Sequence, residues 1–205
     1  MAVVLATAAL PAHRLDECLQ AARIAVEEDR VEIELGVTPG VAIAGAIIGD
    51  IDRDRDGVLS SEEKQSYAER IVQGVQLMAD GRELKIALLD ATFPELATIR
   101  SGDGVVQLRL AAAITHTQGT HQVFFRNSFR RDSSVYLANA LVPDSDRIDV
   151  TAQRRDGDQS ELTIEYVVKR ADAASLPWWL FGSMAGVAVG ATFLGRVRLR
   201  QRVRA

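Results

Sequence analysis

A chain of 205 residues, 47% hydrophobic and 25% charged, is long enough for one ordinary domain with appendages and too apolar for compositional disorder. Its net charge of −4 is uneven: the last ten residues, RVRLRQRVRA, hold five arginines and no acid, so removing +5 from −4 leaves −9 on residues 1–195. An acidic body argues against nucleic-acid binding, and the single cysteine, Cys18, excludes an internal disulfide and reads as a small apolar residue on a strand.

The N-terminal stretch MAVVLATAALPAH has an apolar run and small residues. Residues 1–12 are read as a short export signal or its remnant, cleaved after Ala9 or Ala12, although the usual basic start is missing. An unprocessed N-terminal strand is the alternative.

Residues 13–170 form the predicted body. In CLQAARIAVEEDRVEIELGV, Val31, Ile33, Leu35 and Val37 alternate with Glu32, Glu34 and Gly36, the period of a strand with one wet face. EEDR returns the chain to a preceding strand around Leu19–Val26. Further strands are predicted at Leu84–Ala91 after an Asp80–Gly81 turn, Val105–Ile114, His121–Asn127, Val135–Val142, Ile148–Ala152 and Leu162–Val168, the last two flanking the turn RRDGDQ. About eight short strands predict a mainly β fold, an antiparallel, immunoglobulin-like sandwich.

Residues 38–80 interrupt that pattern. Thr38-Pro39 reads as a helix start, and Ile43, Ile47 and Ile51 follow at helical steps. Tyr67, Ile71, Val75 and Met78 share one face of a second predicted helix. Between the two lies DRDRDGVLSSEE, Asp52 to Glu63, which matches the calcium-loop template D-x-[DN]-x-[DN]-G-x5-E in full. A hard dication takes six to eight oxygens at about 2.3–2.6 Å, and alternate acids on a curling chain supply them. Asp52, Asp54 and Asp56 present carboxylates and Val58 its backbone carbonyl. Ser60 ligates weakly or holds a water, and Glu63 closes the site. Gly57 permits the sharp turn, and Ser60 with Glu63 also makes a capping-box pattern for the second helix. The expectation is a helix–loop–helix EF-hand binding Ca2+. Arg53 and Arg55 offset part of its charge and no second such loop exists, which points to an affinity of about 10⁻⁴–10⁻³ M.

The uncharged run within LPWWLFGSMAGVAVGATFLG is predicted to cross a membrane over residues 177–195, after a linker at 171–176. At ~1.5 Å per residue its 19 residues span about 28 Å, close to the hydrocarbon thickness. Residues 196–205 then form a basic tail. The positive-inside bias places this tail in the cytoplasm and the body outside it, in the periplasm. Gly182, Gly186 and Gly190 share a helix face, a surface for a homodimer or a polytopic membrane partner.

A calcium loop inside a β-rich extracytoplasmic domain resembles the N-terminal domain of certain bacterial membrane proteins, relatives of nickel/cobalt and HupE/UreJ-type transporters. The stretches carrying the resemblance are CLQAARIAVEEDRVEIELGVTPG, DRDRDGVLSSEE, SVYLANALVP and ELTIEYVV. Those transporters continue into several membrane helices where this sequence offers one, so transport is not implied. The resemblance implies at most a tethered accessory or sensing domain.

His116 and His121 flank THTQGTH, read as a polar hairpin tip with two nearby rings and no third metal ligand. Phe124, Phe125, Phe129 and Tyr136 are assigned to the core. No nucleophile with its base, phosphate loop or zinc motif is legible, so the reading is non-enzymatic. The expected function is that of a membrane-anchored, extracytoplasmic calcium-binding protein with a binding or structural role. The alternative is an accessory subunit or sensor of a divalent-metal transporter or another membrane complex.

Overall fold

Alternation of apolar residues decides the strands. Cys18, Ala22, Ile24 and Val26 of β1 (Cys18–Val26) and Val31, Ile33, Leu35 and Val37 of β2 (Arg30–Pro39) all turn inward. The two strands pair antiparallel with Val26 opposite Val31, as the EEDR turn predicts. In the computed structural model, which describes residues 16–170, ten strands form two five-stranded sheets.

In the first sheet β2 also pairs with β6 (Val106–Ala113), which in turn pairs with β5 (Ala87–Thr92). On its other side β1 pairs with β8 (Ser134–Ala140). That pairing is parallel, so the purely antiparallel expectation fails at this edge. The cause is the chain crossing between sheets after β7 (Gly119–Asn127), which brings β8 in along β1. The second sheet runs β4 (Arg82–Glu83), β3 (Val75–Ala79), β7, β10 (Glu161–Val168), β9 (Ile148–Arg155). Inward residues of both sheets meet in one core, with Phe125, Tyr166, Leu35 and Leu108 among the fully buried. Phe129 packs on this core and Tyr136 is buried, whereas Phe124 faces outward beneath the Arg126 guanidinium, 5.3 Å from its ring centre.

Where β8 and β9 are sheet edges, side chains replace a ladder. Arg155 Nε donates to the Ala138 carbonyl (2.6 Å), and the Ala140 amide donates to Gln153 Oε1 (3.3 Å). Edge backbone groups that would invite another strand are thereby occupied.

Two helices intervene between β2 and β3: α1 (Val41–Ile51) and α2 (Ser61–Gln73). The predicted Thr38-Pro39 start is wrong, because β2 continues through Pro39 and Gly40 takes the N-cap position without a side-chain cap. The second helix also ends earlier than predicted. It stops at Gly74, and Val75 and Met78 belong to β3, where Val75, Leu77 and Ala79 turn inward with period two. The predicted strand Leu84–Ala91 is likewise replaced by β4 and β5. Asp80 and Gly81 both adopt positive φ (47° and 77°), the backbone of a tight hairpin turn between β3 and β4. A short helix, α3 (Leu96–Arg100), was not foreseen; five residues give no periodicity to read.

Ile47 and Ile51 of α1 and Tyr67 and Ile71 of α2 join the same core as the strands, each fully buried aliphatic contributing about 1.5–3 kcal/mol. The helical insert is therefore welded to the sheets, and its loop is held at a fixed place on them. The chain divides between Lys169 and Arg170 into two units. The predicted export segment 1–12, linker 171–176, membrane span 177–195 with its three glycines, and tail 196–205 lie outside the described residues. Among the described residues, no helix is long and apolar enough to cross a membrane.

Candidate metal centre

The loop between α1 and α2 begins where α1 runs out of apolar residues. Asp52 is the C-cap, its amide donating to the Ile48 carbonyl (2.8 Å), and the residue is 5% exposed. Its Oδ2 accepts from the Gly57 amide (3.1 Å), which pulls the far side of the loop back over α1. Two further Asx turns follow: Asp54 Oδ1 accepts from the Asp56 amide (3.1 Å) and Asp56 Oδ1 from the Val58 amide (2.7 Å). Curling at this rate needs left-handed backbone, found at Arg55 (φ 62°) and Gly57 (φ 82°). Glycine takes that conformation freely, whereas Arg55 does so at a cost of about 1–2 kcal/mol.

At the far end Ser60 is the N-cap of α2. Its hydroxyl accepts from the Glu63 amide (3.2 Å), and Glu63 Oε2 accepts from the Ser60 amide (3.0 Å), so the predicted capping box is formed. Ser60 Oγ also donates to Glu63 Oε2 (2.8 Å), and the Arg53 amide donates to Oε1 (2.7 Å). The Ser60 hydroxyl first, then the Ser60 and Arg53 amides, hold the Glu63 carboxyl below its ordinary range, which keeps it ionised.

These contacts converge three of the predicted ligands. Carboxylate oxygens of Asp52, Asp54 and Glu63 all lie within 4.8 Å of one another. Two ligands on opposite sides of a calcium ion are separated by about 4.6–5.2 Å, so the trio fits one coordination sphere. Asp56 is not one of this trio; its carboxylate is turned to the Val58 amide. Val58 exposes its side chain, consistent with a role through its backbone alone. Among the described residues, none of these four acids makes an ion pair with a basic side chain.

One atom resists explanation by the protein alone. Asp52 Oδ1 is buried and has no hydrogen-bond partner, while Oδ2 of the same carboxylate is engaged by Gly57. A buried, unpaired carboxylate oxygen is among the costliest polar groups a fold can hold. A cation beside it would meet that need. The donors are all oxygen, which suits a hard ion and not a thiolate- or imidazole-seeking metal.

Several supporting residues were not legible in the sequence. Arg130, at the β7–β8 connection, forms an ion pair with Asp50, two residues before the first predicted ligand. Arg70 of α2 donates to the Asp50 carbonyl. These contacts span 80 and 20 residues, and no local pattern announces them. Leu59, at the loop's eighth position, packs against the hydrophobic core. His116 and His121 do approach, their ring centres 5.8 Å apart, but the predicted hairpin tip is wrong: β6 and β7 lie in different sheets and the segment between them is a crossing. Among the described residues, however, the only group of three metal donors is Asp52, Asp54 and Glu63.

No family model and no curated protein matches this chain.

Proposed function

We propose that this chain is a calcium-binding protein of non-catalytic, binding or structural role, in which one EF-hand is built into a β-sandwich. Asp52, Asp54, Asp56, the Val58 carbonyl, Ser60 and Glu63 are its ligand set. The carrying observation is the orphaned Asp52 Oδ1, buried beside two other acids that the loop's own amides hold in place. The two packed sheets support an immunoglobulin-like description, with the parallel β1–β8 edge as its departure. The uncharged run at 177–195 and the arginines after it support a membrane anchor with the body outside the cytoplasm.

Because the helices on both sides of the loop are buried in the sandwich core, the ion acts as a clamp on a preformed insert. Calorimetric titration of the detergent-purified full chain, stripped with chelator, is expected to show one saturable calcium site per chain. Absence of binding heat together with an unchanged melting curve in millimolar calcium would remove the proposal.

A further inference from the structure

His121 of β7 is enclosed by acceptors on both ring nitrogens. Nδ1 lies 2.7 Å from Asp80 Oδ2 and Nε2 lies 2.8 Å from the Thr117 carbonyl. A carbonyl cannot donate. Asp80 is ionised, because the His121 ring and the Gln122 amide (2.9 Å to Oδ1) outweigh the upward pull of partial burial. A neutral imidazole carries one N–H and satisfies one of these two acceptors. Only the imidazolium donates to both.

His116 stands in the opposite situation. Its Nδ1 is 3.3 Å from the Tyr166 hydroxyl, and burial pushes that phenol up to about 12, so the hydroxyl keeps its proton and has one to donate to a neutral ring. A neutral His116 ring satisfies both neighbours, accepting at Nδ1 from that hydroxyl while its N–H serves the Glu28 backbone carbonyl. A second imidazolium here would face charged His121 at 5.8 Å and the Arg147 guanidinium. Only Glu28 favours it, through its backbone carbonyl and then its carboxylate. Asp80 faces His121 from the β3–β4 turn with Arg82 beside it, and Tyr166 stacks on His121 from β10 at 5.6 Å.

We propose that these two histidines form a pH-gated clasp on the β6–β7 connection, residues 114–118: His121 as a cation fastens it to Asp80 of the β3–β4 turn, and His116 as a neutral base fastens it to Tyr166 of β10. The clasp opens when His121 loses its proton or His116 gains one. Hydrogen bonding to Asp80 raises the His121 value above its ordinary 6.5, so its contribution is complete below 6.5 and is lost as pH rises through the folded value. Burial, followed by the charge of His121, lowers the His116 value below 6.5, so its contribution is complete above 6.5 and is lost as pH falls through the folded value. The clasp is closed in the window between the two and opens on either side. None of this rests on the calcium reading.

Imidazole Hε1 resonances of the full chain, followed against pH, test the clasp directly. The chain has three histidines, and H116N and H121Q variants assign the two that matter. Two separate midpoints are expected, one on each side of 6.5, with amide exchange over residues 114–118 slowest between them. Asp80→Asn is expected to bring the His121 midpoint down toward 6.5 and abolish only the alkaline opening. The clasp is overturned if His116 and His121 titrate together near 6.5, if exchange over 114–118 shows no minimum, or if Asp80→Asn leaves the His121 midpoint in place.

Discussion

Arg130 and Asp50, 80 residues apart, are joined in an ion pair that ties the β7–β8 connection to the last turn of α1. Arg130 reaches it from a left-handed backbone (φ 53°), and its Nε is buried without a partner. The pair fixes the entry to the 52–63 loop from outside the insert. Asp50 is more than a third exposed, so screening limits its worth. A double-mutant cycle of Asp50→Asn and Arg130→Met is expected to give a coupling of about 0.5–1 kcal/mol in chemical denaturation. A coupling indistinguishable from zero would show that the pair is incidental.

Calcium should stabilise the fold by mass action. At one hundred times the dissociation constant, a single site adds about 2.7 kcal/mol, or roughly 5–10 °C in Tm for a domain of this size. Asp52→Asn keeps an oxygen for the Gly57 amide but removes the charge from the buried position, so this shift is expected to vanish while the metal-free Tm changes little. Thermal melts of both proteins with calcium and with chelator make the comparison. An equal shift in the variant would place the ion elsewhere.

A buried amide network bridges the two sheets near the same end. Gln20 Oε1 accepts from Asn127 Nδ2 (2.8 Å), and Gln20 Nε2 donates to the Phe129 carbonyl (2.6 Å) and to Ser134 Oγ (2.7 Å). Gln20→Leu leaves the Asn127 donor unpaired and is expected to cost about 1–3 kcal/mol. Gln20→Leu combined with Asn127→Leu removes the orphan as well, so the double variant should be less destabilised than the two single costs predict. Urea denaturation of the three variants provides the numbers, and simple additivity would refute the network.

Glycines in the insert separate by their surroundings. A Cβ on Gly74 would lie 2.8 Å from Phe129 Cβ and 2.9 Å from its backbone, although φ itself is ordinary (−82°). Gly74→Ala is therefore expected to destabilise by about 1–3 kcal/mol through overpacking. Gly45 and Gly49 of α1 meet nothing within 4 Å, and alanine at each should stabilise by up to about 1 kcal/mol through helix propensity. Melting temperatures of the three variants should move in these opposite directions.

Local patterns account for much of the fold. The β1–β2 hairpin, the strands β6 and β10, and the nearness of His116 to His121 were readable because alternation and turn chemistry act within a few residues. The conformation of the acidic loop at 52–63 was readable for the same reason: its glycine turn and its capping box are made between neighbours. Failures fall where a local signal competes with a distant one. Val75 and Met78 continue the helical spacing of Tyr67 and Ile71, but Gly74 abuts Phe129 from the far side of the sheet crossing, and pairing with β7 turns the chain into a strand.

Chemistry carried by contiguous residues was thus determined by the sequence alone: a mainly β chain, an acidic loop with a capping box, and two imidazoles a few residues apart. Tertiary structure decided the rest, because burial and ion pairing depend on groups that are remote along the chain. Only the packed fold buries Asp52 without a partner for one oxygen, sets Arg130 against Asp50, and gives His121 and His116 opposite surroundings. Desolvation and electrostatic fields belong to a place in space, and a one-dimensional pattern does not contain that place.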